Sequence, residues 1–102
     1  MDDALSDSVY AILLVLLNPQ HGYGIMKEIS EITTGAMKIG PSSMYTNLKK
    51  LQKADFITLT ENSDRKKVYH ITAKGRAALE KDVQRRRLFY EAGAALLAKN
   101  SR

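Results

Sequence analysis

The chain has 102 residues, 44% of them hydrophobic and none of them cysteine, which suffices for one modest core and excludes disulfides, thiolate metal sites and cysteine nucleophiles. Its net charge of +5 is unevenly spread: residues 1–37 hold one Lys against five acids, residues 38–87 hold thirteen Lys or Arg against five, and the last fifteen add two basic residues and one acid. A basic block in mid-chain points to a polyanionic partner, nucleic acid before an anionic membrane surface, and the lack of cysteine to a reducing, cytoplasmic setting.

Ser6 or Asp7 is placed to cap a first helix that runs to about Leu17 and is stopped by Asn18-Pro19, because the residue before proline avoids the α region. Its apolar run Val9–Leu17 is nine residues, less than half of the roughly 20 that a spanning helix needs. Asp2, Asp3 and Asp7 stand where a signal peptide would carry positive charge, so an unprocessed, soluble chain is expected. This helix is apolar on every side. The other elements of so short a chain are too few to cover it, which predicts a second subunit over part of it. A second helix follows within 20–35, with Ile25, Ile29 and Ile32 at helical spacing, Lys27, Glu28 and Glu31 toward water, and Gly35 closing it. After an extended link at 36–39, Gly40-Pro41 opens a third helix to about Ala54. Met44, Leu48 and Leu51 form its i, i+4, i+7 stripe, with Lys49, Lys50 and Lys53 on the outer flanks.

The segment 56–62 alternates Ile57 and Leu59 against Thr58 and Thr60, the pattern of a half-buried strand. A turn at 63–65 returns the chain through 66–71 with Tyr69 and Ile71 on one face, making a hairpin with a basic tip; Tyr69 reads as core and strand packing rather than as a contact. Thr72 caps a last helix reaching about Ala98, in which Gly75 reads as a tolerated weak point of the first turn. At 1.5 Å per residue that helix is roughly 40 Å long, longer than the body of so small a domain. Leu79, Val83, Tyr90, Ala94 and Leu97 lie on one drifting stripe beside Phe89 and Leu96, and the small residues 92–95 admit a close partner helix. Arg85, Arg86 and Arg87 interrupt the stripe and read as a solvated face or as salt bridges to a partner.

Helix, helix, extended link, helix, hairpin, helix is the order of a winged helix-turn-helix. The predicted fold is mainly α with a small β-hairpin, residues 1–72 forming the DNA-binding domain and 73–102 a long C-terminal dimerisation helix, in one compact unit. In this arrangement the third helix enters the DNA major groove and the hairpin tip, the wing, reaches an adjacent groove. Ser42, Ser43, Thr46 and Asn47 can bond to phosphates or base edges, the helix N-terminus favours anions, and Lys49, Lys50, Arg65, Lys66 and Lys67 neutralise phosphates. His21 and His70 are far apart and lack a spaced acid partner, and Ser42-Ser43 has no His-acid pair beside it. Hence no metal, cofactor or enzymatic activity is expected.

Three pieces, HGYGIMKEI at 21–29, GPSSMYTNLKKL at 40–51 and KKVYHITAKGRAAL at 66–79, together resemble the PadR-like family of winged-helix transcriptional regulators. A Gly-Tyr helix start, a Tyr-x-x-Leu recognition helix and a Tyr-x-x-Thr-x-x-Gly wing exit recur there in this order. The resemblance covers about Val9 to Leu79, and the single C-terminal helix is similar to that of the family's smaller branch. It implies a homodimer in which each subunit's last helix packs against the partner's first, acting as a repressor whose hold on double-stranded DNA is modulated by a small molecule. It puts Tyr45 near the DNA backbone, Leu48 in the core, Tyr23 at the Gly-Tyr position and Tyr69 at the wing exit. A flat apolar site made of Tyr10, Leu14, Phe89, Tyr90 and Leu96 between subunits would suit an aromatic or lipophilic effector, while the same side chains by themselves read first as plain dimer core. The family usually has Gly in the turn after the recognition helix. Here the turn is Lys53-Ala54-Asp55-Phe56, so Asp55 is expected in the left-handed conformation at a cost of ~1 kcal/mol. Two readings compete: a winged-helix dimer that binds a protein without reading DNA, and a membrane-surface amphipathic protein, against which Glu80, Asp82 and Glu91 count.

Overall fold

A computed structural model describes residues 4–61 and 66–101 of the chain. The elements follow the expected order, α1 (Asp7–Val15), α2 (Gly22–Ile32), α3 (Pro41–Lys53), β1 (Ile57–Glu61), β2 (Lys67–Ile71) and α4 (Ala73–Lys99). The hairpin turn at 63–65, and with it Arg65, lies outside the described residues.

The Ser6 hydroxyl caps α1 by accepting from the Val9 amide at 3.2 Å. The helix ends two residues before the expected Leu17, because the chain tightens ahead of Pro19: Leu17 and Asn18 bond back three residues, to Leu14 and Val15, as last turns do when the α ladder cannot continue. Gln20 secures this end. Its side-chain amide donates to the Val15 carbonyl at 2.8 Å and to the Glu28 carboxylate at 2.7 Å, so Glu28, expected in water, is half-buried in a bond between α1 and α2.

Ile25 and Ile29 of α2 are buried, whereas Ile32, in the last turn, is exposed. The helix is closed by consecutive left-handed residues, Thr34 and Gly35 (φ 49° and 82°), and the Gly35 amide reaches back to the Ser30 carbonyl at 2.7 Å, the wrapping expected of a glycine C-cap. In α3 the expected stripe of Met44, Leu48 and Leu51 is the buried face. Asp55 adopts the left-handed conformation expected of it, φ 64°, and lets the Phe56 amide bond back to Leu51 at 2.9 Å.

The strands pair antiparallel with Ile57 opposite Ile71, Leu59 opposite Tyr69 and Glu61 opposite Lys67. Ile57 and Tyr69 are buried, but Leu59, expected to share that face of the core, is 36% exposed. Alternation gave its face correctly; the hairpin runs out beyond the helices, so that face is uncovered toward the tip. At the other end Thr72 caps α4, accepting from the Gly75 amide at 3.0 Å while its hydroxyl donates to the Asp55 carbonyl at 2.7 Å. The same turn explains Gly75. A β-carbon there would lie 2.1 Å from the Phe56 carbonyl oxygen, so this glycine is required by backbone contact rather than tolerated.

One core cluster joins Ile12, Leu13 and Leu16 of the α1 region to Ile25, Ile29, Met44, Leu48, Ile57, Tyr69 and Leu79. The chain therefore covers α1 far more fully than its composition suggested: Ala11, Ile12, Leu13 and Val15 are all buried without a second subunit. What stays open is a strip of Leu14 and Leu17 beside Leu79 and Val83. Beyond Arg86 every residue of α4 is exposed, and the molecule measures 60 × 30 × 21 Å.

Candidate nucleic-acid interface

Because Met44, Leu48 and Leu51 hold α3 to the body, helical geometry turns the intervening residues outward. Ser42, Ser43, Tyr45, Thr46, Lys49 and Lys50 are exposed and Asn47 is half-buried. The Thr46 hydroxyl donates back to the Ser42 carbonyl at 2.9 Å, which leaves its oxygen to accept. The helix starts at Gly40 with Pro41 in its first turn and no side-chain cap. Its first amides thus form an uncompensated positive end. Along the same helix Thr46, Lys49, Lys50, Gln52 and Lys53 line an open hollow of about 650 Å³.

The hairpin is fixed beside this face by its second strand. The Tyr69 amide donates to the Gln20 carbonyl at 3.0 Å, the Gln20 amide to the Tyr69 carbonyl at 3.3 Å, and His21 Nδ1 lies 3.2 Å from the Lys67 carbonyl, to which its N–H donates. Lys66 and Lys67, at the start of β2, are exposed next to the α2 N-terminus. Between them and α3 lies a hollow of about 470 Å³ lined by His21, Gly22, Tyr23, Tyr45, Lys66, Lys67 and Tyr69. Gly22 permits this closeness, since a β-carbon there would stand 2.6 Å from the Tyr45 hydroxyl. Burial, and then the neighbouring Tyr45, push the Tyr69 phenol above its ordinary value. Of the ten residues picked out for nucleic acid, seven lie on α3 and Lys66 and Lys67 at the start of β2; Tyr45 meets the two β2 lysines in one hollow, Thr46, Lys49 and Lys50 line another, and Arg65 lies outside the described residues.

The five residues proposed for an effector are not together within one chain. Tyr10 is half-buried with the Arg86 guanidinium 4.0 Å above its ring, Leu14 lies in the strip beside Leu79 and Val83, and Phe89, Tyr90 and Leu96 stand exposed on the projecting part of α4. Arg85 and Arg86 find their partners within the chain. Both bind Asp82, at 2.9 and 2.7 Å, and Arg86 also reaches Asp7 at 2.9 Å and the Leu5 carbonyl at 3.2 Å. Arg87 pairs with Glu91 on the surface.

Asp82 is the residue that sequence reasoning misplaced. Counted among the surface acids, it is only 2% exposed and also accepts from the Leu5 amide at 3.1 Å. Burial alone would raise its carboxyl, but the hydrogen bonds from Arg85, Arg86 and Leu5 outweigh burial and hold it below the usual carboxylate value. Arginines three and four residues after an acid are a readable signal of pairing; burial by a segment at the other end of the chain is not.

Among the described residues no helix is long and apolar enough to cross a membrane. The sequence profile of the transcriptional regulator PadR-like family matches residues 12–81. Among solved structures, a PadR family transcription regulator from Clostridium difficile R20291 superposes with a TM-score of 0.81 at 22% identity, covering 90% of this chain and 99% of that one. A transcriptional regulator from Clostridium thermocellum superposes with a TM-score of 0.70 at 23% identity, covering 92% of each chain. No curated protein matches the sequence significantly. The profile match runs from α1 through both strands into α4, and the chain belongs to the PadR-like family of transcriptional regulators.

Proposed function

We propose that the chain is a DNA-binding transcriptional repressor that acts in the cytoplasm as a homodimer on an inverted-repeat operator. The observation that carries this reading is the two-sided character of α3: an apolar stripe against the core, and a face of hydroxyls and lysines that opens beside Lys66 and Lys67. Residues 1–72 serve as the DNA-binding domain and 73–102 as the dimerisation helix. Ser42, Ser43, Tyr45, Thr46 and Asn47 meet base edges and phosphates, and Lys49, Lys50, Arg65, Lys66 and Lys67 neutralise phosphates. Dimerisation accounts for the exposed Leu88, Phe89, Tyr90, Leu96 and Leu97 on α4, too much apolar surface to be left in water. An aromatic or lipophilic effector would then sit where Tyr10 and Leu14 of one subunit approach Phe89, Tyr90 and Leu96 of the other.

Two recognition helices related by a two-fold axis favour half-sites roughly 34 Å apart. Duplex retardation by the purified protein tests the reading. Affinity should fall steeply between ~50 and ~200 mM salt, and replacing Lys49 and Lys50 by Ala should weaken binding and flatten that dependence by about one unit of slope per lysine. An affinity indifferent to salt would overturn it.

A further inference from the structure

The hollow between α2, α3 and β2 is built over a tyrosine whose hydroxyl has no partner. Tyr69 is 4% exposed. Its backbone is taken up by Leu59 and Gln20, and no hydrogen bond engages its hydroxyl among the described residues. Every buried side-chain polar atom among them has a partner, so the unpaired hydroxyl is not sealed from solvent, and the hollow is the space that Tyr69 lines. Around it stand the Tyr45 phenol, the Lys67 side chain and the first turn of α2, an eleven-residue helix with no side-chain cap. Among the described residues no carboxylate lines the space. The Tyr69 phenol, pushed up by burial and then by Tyr45, keeps its proton and remains a donor. Donors, a helix N-terminus and an ammonium group around one hollow make a site for an oxyanion.

We infer that this hollow seats a phosphate group of the DNA backbone, and that Tyr69, through its hydroxyl, is a DNA-contacting residue as well as a core residue. The inference rests on the DNA-binding reading above. A free phosphate shares the chemistry, but the hollow lies between the recognition helix and the wing, where a backbone running from one groove to the next must pass. Gly22 belongs to the same device, because a side chain there would push the Tyr45 hydroxyl out of place.

Tyr69→Phe keeps the ring and removes only the hydroxyl, so the variant should melt with the parent. Measured by fluorescence anisotropy on a mixed-sequence duplex, its affinity should fall about tenfold, the size of one hydrogen bond to a charged group. Its salt dependence should run parallel to the parent's, because the lost group is neutral. Lys67→Ala should instead lower the slope by about one. Parent-like affinity in Tyr69→Phe overturns the assignment. Should inorganic phosphate shift the Tyr69 ring resonances while Tyr69→Phe leaves duplex affinity intact, the seat belongs to free phosphate and the backbone contact is wrong. A parent protein that retains no duplex at all removes the DNA reading itself, which separates that failure from this one.

Discussion

Helices α1 and α4 begin beneath a hydroxyl side chain, Ser6 and Thr72; helices α2 and α3 begin at His21 and Gly40 with no side-chain cap. A cap stabilises a helix by about 1 kcal/mol and occupies one of its free amides. Omitting it costs stability and leaves a positive end open to an anion. The capped pair are the helices joined through the Asp7, Asp82 and Arg86 network, where no charged ligand is needed. Of the uncapped pair, α2 begins beside Lys66 and Lys67, and α3 carries Lys49, Lys50 and Lys53 along its outer face. All four helices share one core, so the difference between the pairs lies in their first turns: closed by a hydroxyl in α1 and α4, open in α2 and α3.

The largest expected effect lies at Gly75, where α4 begins against the turn after α3. Gly75→Ala places a β-carbon against the Phe56 carbonyl and should cost upward of about 3 kcal/mol, read as the denaturant midpoint. It should loosen α4 from the turn between α3 and β1 as well as from the core. Asp82→Ala leaves Arg86 only the exposed Asp7 carboxylate and the Leu5 carbonyl and should cost about 2–3 kcal/mol. The sign of its pH dependence follows from the carboxyl being held below its ordinary value of 3.8. Its contribution is present in full above that value and is lost as pH falls below it, so acid unfolding of the parent should steepen there while the variant's should not.

These two positions also show where reading the sequence stops. Asp82 follows a helical pattern that assigns it to water, and only Leu5, 77 residues earlier, buries it. Gly75 scores as a weak helix residue until Phe56 is brought against it. By contrast Asp55 was legible through the resemblance: the family usually has Gly in that turn, Asp tolerates the left-handed conformation better than most residues, and it is found at φ 64°. Asp55→Gly should stabilise by about 1 kcal/mol with Thr72 still donating to the carbonyl at that position.

The smallest effect on stability gives the sharpest test of the comparison. At Gly40 a β-carbon meets nothing within 4 Å and φ is −80°, so Gly40→Ser supplies the missing cap without strain. It should raise stability by a few tenths of a kcal/mol and lower duplex affinity, because the serine oxygen takes an amide from the phosphate. Stability and affinity rising together would end the idea that the open N-terminus serves binding.

The sequence by itself determined the helices with clear periodicity, the Thr72 cap, the α1 cap to within Ser6 or Asp7, the buried stripe of α3 and the concentration of basic residues between 38 and 87. Each of these depends on residues within a few positions of one another, which is the range over which helical spacing and capping act. Tertiary structure alone decided that α1 is covered within one chain, that Asp82 is buried, that Leu59 is left bare, and that His21, Tyr45, Lys67 and Tyr69 line one hollow. Those outcomes depend on which distant segment arrives at a surface, and neither periodicity nor composition carries that information.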